Sequence, residues 1–479
     1  MHWKNYIAGE WCDSDNTLTI TNPATGKEFA TIACANFEEA ERAVEAAKAC
    51  VDSGVLTKDK PAARSRMMFR IAENIREMTE EGAQLLVLEN GKSLEDARSE
   101  FLNAARYFEY YGGMTDKIEG KSIPLGDDYV DFTYCEPMGV SVQIVPWNFP
   151  VDICARSLAP ALASGNAVIV KSPELTPLAM TLLATACEKA GLTKEALSIL
   201  CGVGSELGAA LVANPKVDQV VFTGSVTTGQ HIMKSAADNV TPCVMELGGK
   251  SAAVVFPDVD KKQFLDSVAW GIFFNAGQVC SAMSRIVIHE DVYEELIAEI
   301  KTLAESLSIK SGETVELTPV ISSDQHSQVL SHIDNALSEG ARLVTGGEAV
   351  SDEEGFYIEP TVFADVRPDM NISQNEVFGP VVSITSFKTE DEAWQLANGT
   401  NFGLVAGVFT NDLSRTIRAT RALKAGQIFV NEWFAGGIET PFGGVKMSGF
   451  GREKGQEALY NYVNTKNIAI RVNGQTDYR

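Results

Sequence analysis

Apolar runs and helical periodicities alternate along most of the chain. The first helical pattern follows Asn36, where Glu39 three residues on predicts a capping box and Ala40, Val44 and Ala47 share one side. From Ala62 a second helix is predicted, with Met67, Ile71, Ile75 and Met78 recurring at helical spacing, and a third over Leu94 to Tyr111. Gly112-Gly113 ends that pattern. The turn-rich stretch GKSIPLGDDYVDFTYCEPMG then reads as short exposed strands, an excursion from the first core.

From Gly139 the pattern changes. SVQIV, AVIVK, LSIL and QVVFTG are apolar enough to be strands buried on both faces, separated by the helix-like RSLAPALASG, PLAMTLLATACEKAG, SELGAALVAN and TTGQHIMKSAAD. Such βα units predict an α/β fold with a doubly wound parallel sheet and right-handed crossovers. A second series starts near Ser251: SAAVVF, a helix over Gln263 to Phe274, RIVIH, a helix over Val292 to Leu307, then ARLVTG, VVSITSF, GLVAGVFT and QIFVN. It predicts a second α/β domain. No fixed-period repeat or low-complexity tract interrupts either series.

Charge narrows the choice of partners. Forty Lys plus Arg against 64 Asp plus Glu leave a net charge of −24, with no basic cluster, which argues against nucleic acid and anionic membranes. No apolar run approaches the ~18 residues of a membrane span, and MHWKNYIAGEW lacks the features of an export signal, so a soluble cytoplasmic protein is expected. Nine cysteines without a CxxC pair argue for reduced thiols. The five histidines, His2, His231, His289, His326 and His332, fall in no metal-ligand spacing, so no metal is expected.

Parallel sheets bind ligands beyond the carboxyl ends of their strands, and four such ends are polar. They carry Pro146-Trp147-Asn148-Phe149-Pro150, Lys171-Ser172-Pro173-Glu174, Thr223-Gly224-Ser225 with Gly229 beyond, and Glu246-Leu247-Gly248-Gly249-Lys250. Neither Gly224 to Gly229 nor Gly202 to Gly208 is a GxGxxG fingerprint. A helix opening at Ser225 still offers backbone donors to a pyrophosphate; simple loop punctuation is the competing reading. Lys171 suits ribose or phosphate, and a carboxylate at Glu174 would accept from a ribose while repelling a 2′-phosphate, which favours NAD over NADP.

Eight cysteines read as small buried hydrophobes. Cys280 stands apart, in the polar, small-residue segment FNAGQVCSA, where a thiol can meet a substrate. With no histidine nearby in sequence, a carboxylate is the available base, and Glu246 is the candidate; an exposed loop acid is its alternative reading.

Together these segments resemble the aldehyde dehydrogenase superfamily over nearly the whole chain. The matching pieces are PWNFP, KSPELTP, FTGSVTTG, MELGGKS, FNAGQVCSA, EVFGPV and PFGGVKMSGFGRE, in the family's order. The resemblance implies NAD-dependent oxidation of an aldehyde to its acid through a thiohemiacetal and a thioester. Cys280 would be the nucleophile, Glu246 the base that activates water, and Asn148, with the Cys280 N–H, the oxyanion hole. The cofactor would lie against Pro146, Trp147, Lys171, Ser172, Glu174, Gly204, Gly208, Phe222, Gly224, Ser225, Gly229, Leu247 and Gly248, with Glu376 on the nicotinamide ribose and Phe378 beside the ring.

The same resemblance implies an aldehyde dehydrogenase-like fold: an NAD-binding domain over 1–119 and 138–246, a catalytic domain over 247–445 with 446–463 returning to the first, and a β arm over 120–137 and 464–479 that makes a dimer or tetramer. Arg156 matches the arginine that faces substrate in the succinate-semialdehyde and lactaldehyde branches, and a structural arginine is the alternative. Val279 and Ser281 flank the thiol. Trp433 and Phe434 are expected to line the tunnel mouth, where Glu432 would disfavour an anion. A coenzyme-A-acylating or NADP-linked enzyme, and a non-catalytic protein on the same scaffold, are the rival readings; Glu246 opposes acylation, and Asn148, Glu246, Cys280 and Glu376 together oppose the last.

Overall fold

The computed structural model describes residues 1–307, 317–350 and 354–472. Parts of the expected catalytic domain (308–316, 351–353) and the end of the expected arm (473–479) lie outside the described residues.

Two large sheets carry the α/β architecture. The first has eight strands in the order Gly449–Phe450, Cys243–Leu247, Gln219–Gly224, Val140–Ile144, Ala167–Ser172, Leu197–Cys201, Asn5–Ile7 and Glu10–Cys12. Its five central strands are parallel and its edges antiparallel. Ala167–Ser172 is buried at every position, as a strand covered by helices on both faces must be. The chain enters at Val140–Ile144, steps outward through Ala167–Ser172 and Leu197–Cys201, then returns to place Gln219–Gly224 on the other side. The strand order therefore reverses between Ile144 and Phe222, which opens a crevice beyond their carboxyl ends.

The second sheet has seven strands, Arg342–Thr345, Thr361–Ala364, Val381–Phe387, Arg285–His289, Ala252–Val255, Val405–Phe409 and Gln427–Val430, parallel except at the first edge. Sheet membership changes across Gly248 to Ser251, so Glu246 ends one sheet just before the other begins.

The capping box forms as expected, with the Asn36 side chain accepting from the Glu39 N–H and Glu39 accepting from the Asn36 N–H. The helices Pro61–Glu77 and Leu94–Gly112 bury Met68, Phe101, Phe108 and Tyr111 in a helical layer, and Pro150–Ser164 joins that layer to the first sheet. The predicted excursion is a three-stranded antiparallel sheet of Ser122–Ile123, Tyr129–Pro137 and Val463–Arg471.

Several expectations need correction. Five strands up to Ala33, two of them edging the first sheet, were not predicted; three are runs of two or three residues with too little periodicity, and the longer Thr17–Asn22 and Lys27–Ala33 pair in a separate small sheet. The helix expected over Gln263 to Phe274 is regular only over Lys261–Val268, then widens to a π turn at Ala269–Phe273. Of the eight cysteines read as buried, Cys12, Cys34, Cys135 and Cys243 are partly exposed; Cys12 lies on an edge strand and Cys135 in the exposed arm sheet.

Candidate active site

Cys280 sits where two cavities meet. One, about 260 Å³, is lined by Asn148, Glu246, Leu247, Gly248, Glu376 and Phe378; the other, about 350 Å³, by Phe149, Arg156, Val279, Ser281 and Phe434. Cys280 is the residue common to both linings, so two reactants can approach it from different cavities. Its loop is held in an unusual conformation. Asn275, Ala276 and Gly277 have φ of 49°, 52° and 69°, and a Cβ on Gly277 would collide with the Gly379 carbonyl.

Glu246 Oε2 lies 3.8 Å from Cys280 Sγ. Burial pushes the Glu246 carboxyl up to about 7, although Arg156 pulls it down. Burial also pushes the Cys280 thiol well above its ordinary value, and Glu246 adds to that. The resting pair therefore keeps a neutral thiol beside a carboxylate whose basicity suits neutral pH. Glu246 Oε1 is buried without a hydrogen-bond partner among the described residues, an acceptor that a water molecule can satisfy.

Asn148 is 3% exposed and its Nδ2 donates to the Gln278 carbonyl at 2.9 Å, which uses one of its two protons and leaves the other. Its backbone is anchored from below. Asn148 O accepts from Lys92 Nζ at 3.1 Å and Asn275 Nδ2 at 3.3 Å. Lys92 is ion-paired in the interior with Glu100, whose other oxygen accepts from the Val151 and Asp152 N–H groups at 2.8 and 3.1 Å. This buried pair was missed from sequence, because Lys92 and Glu100 look like ordinary surface residues of adjoining helical segments.

Arg156 lines the substrate-side cavity and is also held by protein acids. It is 4% exposed and bridges two carboxylates, Glu246 Oε2 at 3.2 Å and Glu453, while Ser157 Oγ donates to Glu453 at 2.9 Å. Its guanidinium lines the substrate-side cavity, where Nη2 is held by the two acids and Nε is buried without a hydrogen-bond partner among the described residues, so Arg156 is a buried bridge in the cavity wall. Trp433 is corrected. It is buried and donates from Nε1 to the Ser281 carbonyl at 3.0 Å, behind the cavity wall, whereas Phe434 does line the cavity. Glu432 is exposed and absent from that wall.

The crevice at the strand reversal forms a third cavity of about 670 Å³, lined by Pro146, Trp147, Lys171, Glu174, Gly204, Gly208, Phe222, Gly224 and Ser225. It runs into the Cys280 cavity along Pro146, Trp147, Thr223, Gly224 and Ser225. Lys171 Nζ pairs with Glu174 Oε2 at 2.7 Å, and Glu174 Oε1 accepts from the Gly204 N–H at 2.7 Å. Burial pushes the Glu174 carboxyl up, but Lys171 outweighs it and the group sits below its ordinary value. Ser225 caps the helix Val226–Ala237. Ser172 and Gly229, expected at the cofactor, do not line the cavity: Ser172 Oγ donates to the Leu200 carbonyl, and Gly229 packs where a Cβ would meet Leu247.

Glu376 Oε1 accepts from the Gly249 N–H at 3.0 Å, and burial pushes its carboxyl up to about 7. Phe378 makes an edge-on contact with Trp147, ring centroids 5.3 Å apart. His332 reaches the same cavity from the helix Ser323–Ser338, with Nδ1 3.2 Å from Asn371 Oδ1. It too was missed, since a lone helical histidine carries no local signal. Among the described residues no three His, Cys, Asp or Glu side chains converge on a metal position, and no helix is long and apolar enough to cross a membrane.

A doubly wound crevice runs into a cavity where a half-buried cysteine meets a buried carboxylate, an arrangement suited to an oxidoreductase with a nucleotide cofactor. Comparison with known proteins makes this specific. The model of the aldehyde dehydrogenase family matches residues 11–468, and the chain belongs to that family. It is 40% identical to aldehyde dehydrogenase family 2 member B4, mitochondrial, of Arabidopsis thaliana over 98% of this chain and 89% of that one. To the betaine aldehyde dehydrogenase of Bacillus subtilis it is 36% identical, over 97% and 96%. The solved structure of an NAD+ complex of aldehyde dehydrogenase from Bacillus cereus superposes with a TM-score of 0.96 at 35% identity, covering 99% of this chain and 97% of that one.

Proposed function

We propose that this chain oxidises a small aldehyde to its acid, with Cys280 as nucleophile, Glu246 as base and Asn148 as oxyanion donor. The observation that carries the assignment is Cys280 at the junction of two cavities with Glu246 at 3.8 Å.

The long crevice fits a dinucleotide. The Ser225-capped helix offers its first N–H groups to a pyrophosphate, Glu174 and Lys171 suit a ribose, and a Cβ at Gly248 would collide with Glu376, so glycine there admits the carboxylate that suits a second ribose. The charged Glu174 favours NAD over a 2′-phosphorylated cofactor.

Glu246 takes the Cys280 proton, and the thiolate adds to the aldehyde carbon. The free Asn148 proton and the Cys280 N–H meet the developing oxyanion, a donor typically worth ~3 kcal/mol. NAD, when bound, supplies the acceptor that takes the hydride and leaves a thioester on Cys280. Glu246, its proton released, then takes one from water at the unpartnered Oε1, and hydroxide displaces the thiolate as the acid leaves.

The arm sheet exposes Leu125, Tyr129, Val130, Tyr134 and Ile470, apolar surface that supports assembly into a dimer or tetramer. Nine unpaired thiols support a reducing, cytoplasmic setting. We take the first sheet with its helices as the cofactor domain and the second as the catalytic domain, with the boundaries given by the sequence.

Stopped-flow NADH formation tests the roles. Glu246→Gln is expected to give a burst followed by slow turnover, and Cys280→Ser no burst. A burst that persists in Cys280→Ser overturns the assignment.

A further inference from the structure

The substrate-side cavity contains one cation with no partner. Lys454 lies in its wall with Nζ 5.4 Å from the centroid of the Phe442 ring, and Phe442 lines the same cavity. Among the described residues Lys454 enters no ion pair and no hydrogen bond. The other cation over that ring, Arg156 at 5.5 Å, is committed to Glu246 and Glu453. The backbone aims Lys454 there at a cost, since φ is 58°, a conformation that a long side chain keeps only when its surroundings hold it.

We propose that Lys454 is the substrate-recognising cation of this cavity and selects aldehydes that carry a carboxylate at the end remote from the carbonyl. The inference rests on Cys280 as nucleophile, because Lys454 and Cys280 line one cavity and a bifunctional substrate would span between them. Phe149, Phe274 and Phe434 form a continuous aromatic wall, Phe149 stacked on Phe274 at 5.8 Å and Phe274 edge-on to Phe434 at 6.5 Å. Beside the neutral Asn103, Gln427 and Thr440 of the wall, an unpaired ammonium offers a carboxylate the stronger, charge-assisted bond. A cationic aldehyde would meet the ammonium without compensation.

Asp152 shares the wall. Its carboxyl accepts a hydrogen bond from Tyr107 and feels Lys454, Arg156 and Lys92 as attractive charges. It counterbalances Lys454 without touching it, and confines a bound carboxylate to the Lys454 side. Burial pulls the Lys454 ammonium below the usual lysine range and Asp152 opposes that pull.

The test compares kcat/KM for two matched pairs, succinic semialdehyde against butanal and para-carboxybenzaldehyde against benzaldehyde, in wild type, Lys454→Met and Lys454→Arg. In at least one pair the acid-to-neutral ratio is expected to fall on the order of 10- to 100-fold in Lys454→Met, mainly through KM, and to be largely kept in Lys454→Arg. The neutral member of each pair controls for folding. An acid-to-neutral ratio unchanged by Lys454→Met in both pairs overturns the role of Lys454. A wild-type enzyme inactive on all four aldehydes instead overturns the reading of Cys280 on which it rests.

Discussion

Replacing Arg156 by Met isolates what the buried bridge does. The guanidinium is 3.2 Å from Glu246 Oε2 and also holds Glu453, all three groups being nearly inaccessible. A unit charge at that distance is worth about 332/(20 × 3.2), or ~5 kcal/mol, at an effective dielectric of ~20, an upper bound equivalent to nearly ~4 pKa units. Relaxation and water entry absorb part of this, so a rise of about 2 units in the Glu246 carboxyl, from about 7 toward ~9, is the working expectation. The sign follows from charge: without the cation, the neutral acid is favoured over the carboxylate. At pH 7 the basic fraction would then drop from about one half to ~1%, a ~50-fold loss in base-dependent turnover that recovers as pH rises. The assay is kcat against pH with a neutral aldehyde, so that substrate charge plays no part. Stability should move in step, because a carboxyl with a raised folded pKa loses stability as pH climbs from its unfolded value to its folded one; wild type stops losing near pH 7 and the variant continues to ~9, so the variant's melting deficit should be larger at pH 9 than at pH 6. An acid limb that stays near pH 7 with a loss independent of pH would refute the reasoning and return Arg156 to substrate binding.

Three further outcomes are expected. Glu89 is buried and accepts the Leu178 and Ala179 N–H groups at 2.7 and 2.9 Å, and burial pushes its carboxyl up to about 8. Glu89→Gln would turn an amide N–H toward one of these donors and cost about 1–3 kcal/mol in denaturant unfolding, with the gap to wild type narrowing as pH rises from the ordinary carboxyl value of 4.5 to about 8, where wild type must keep Glu89 protonated to fold, and constant above that. Glu174→Gln removes the charge that Lys171 holds and should lower the NAD-to-NADP ratio of kcat/KM by ~10-fold; an unchanged ratio would dissociate Glu174 from cofactor choice. Charging the exposed arm, as in Val130→Glu with Ile470→Asp, should shift sedimentation toward the monomer, and an unaltered sedimentation profile would place the subunit contact elsewhere.

What could be read from the chain and what could not divide along sequence distance. Glu246, Lys171 and Gly224 were legible because each directly follows an apolar run, and a strand's carboxyl end is a local property. Cys280 was legible by its small, polar neighbours. The groups that act on these residues were not. Glu453 meets Arg156 from 297 positions away, and Asn5 pairs its side chain with Ala33 O and Cys201 N, the latter across 196 positions. A three-residue strand such as Asn5–Ile7 has no periodicity of its own and is a strand only because Leu197–Cys201 has an open edge beside it. Charge shows the limit most clearly. In the sequence Arg156 and Lys454 are two cations of equal standing, and the family resemblance favoured the arginine for substrate. Packing separates them, because two acids bond Arg156 while Lys454, in the same cavity wall as Asp152, forms no ion pair, and a cation held by two acids has less to offer a third carboxylate. Specificity in this fold therefore depends on which charges the interior leaves unpaired, and that follows from chain crossings that no local window contains.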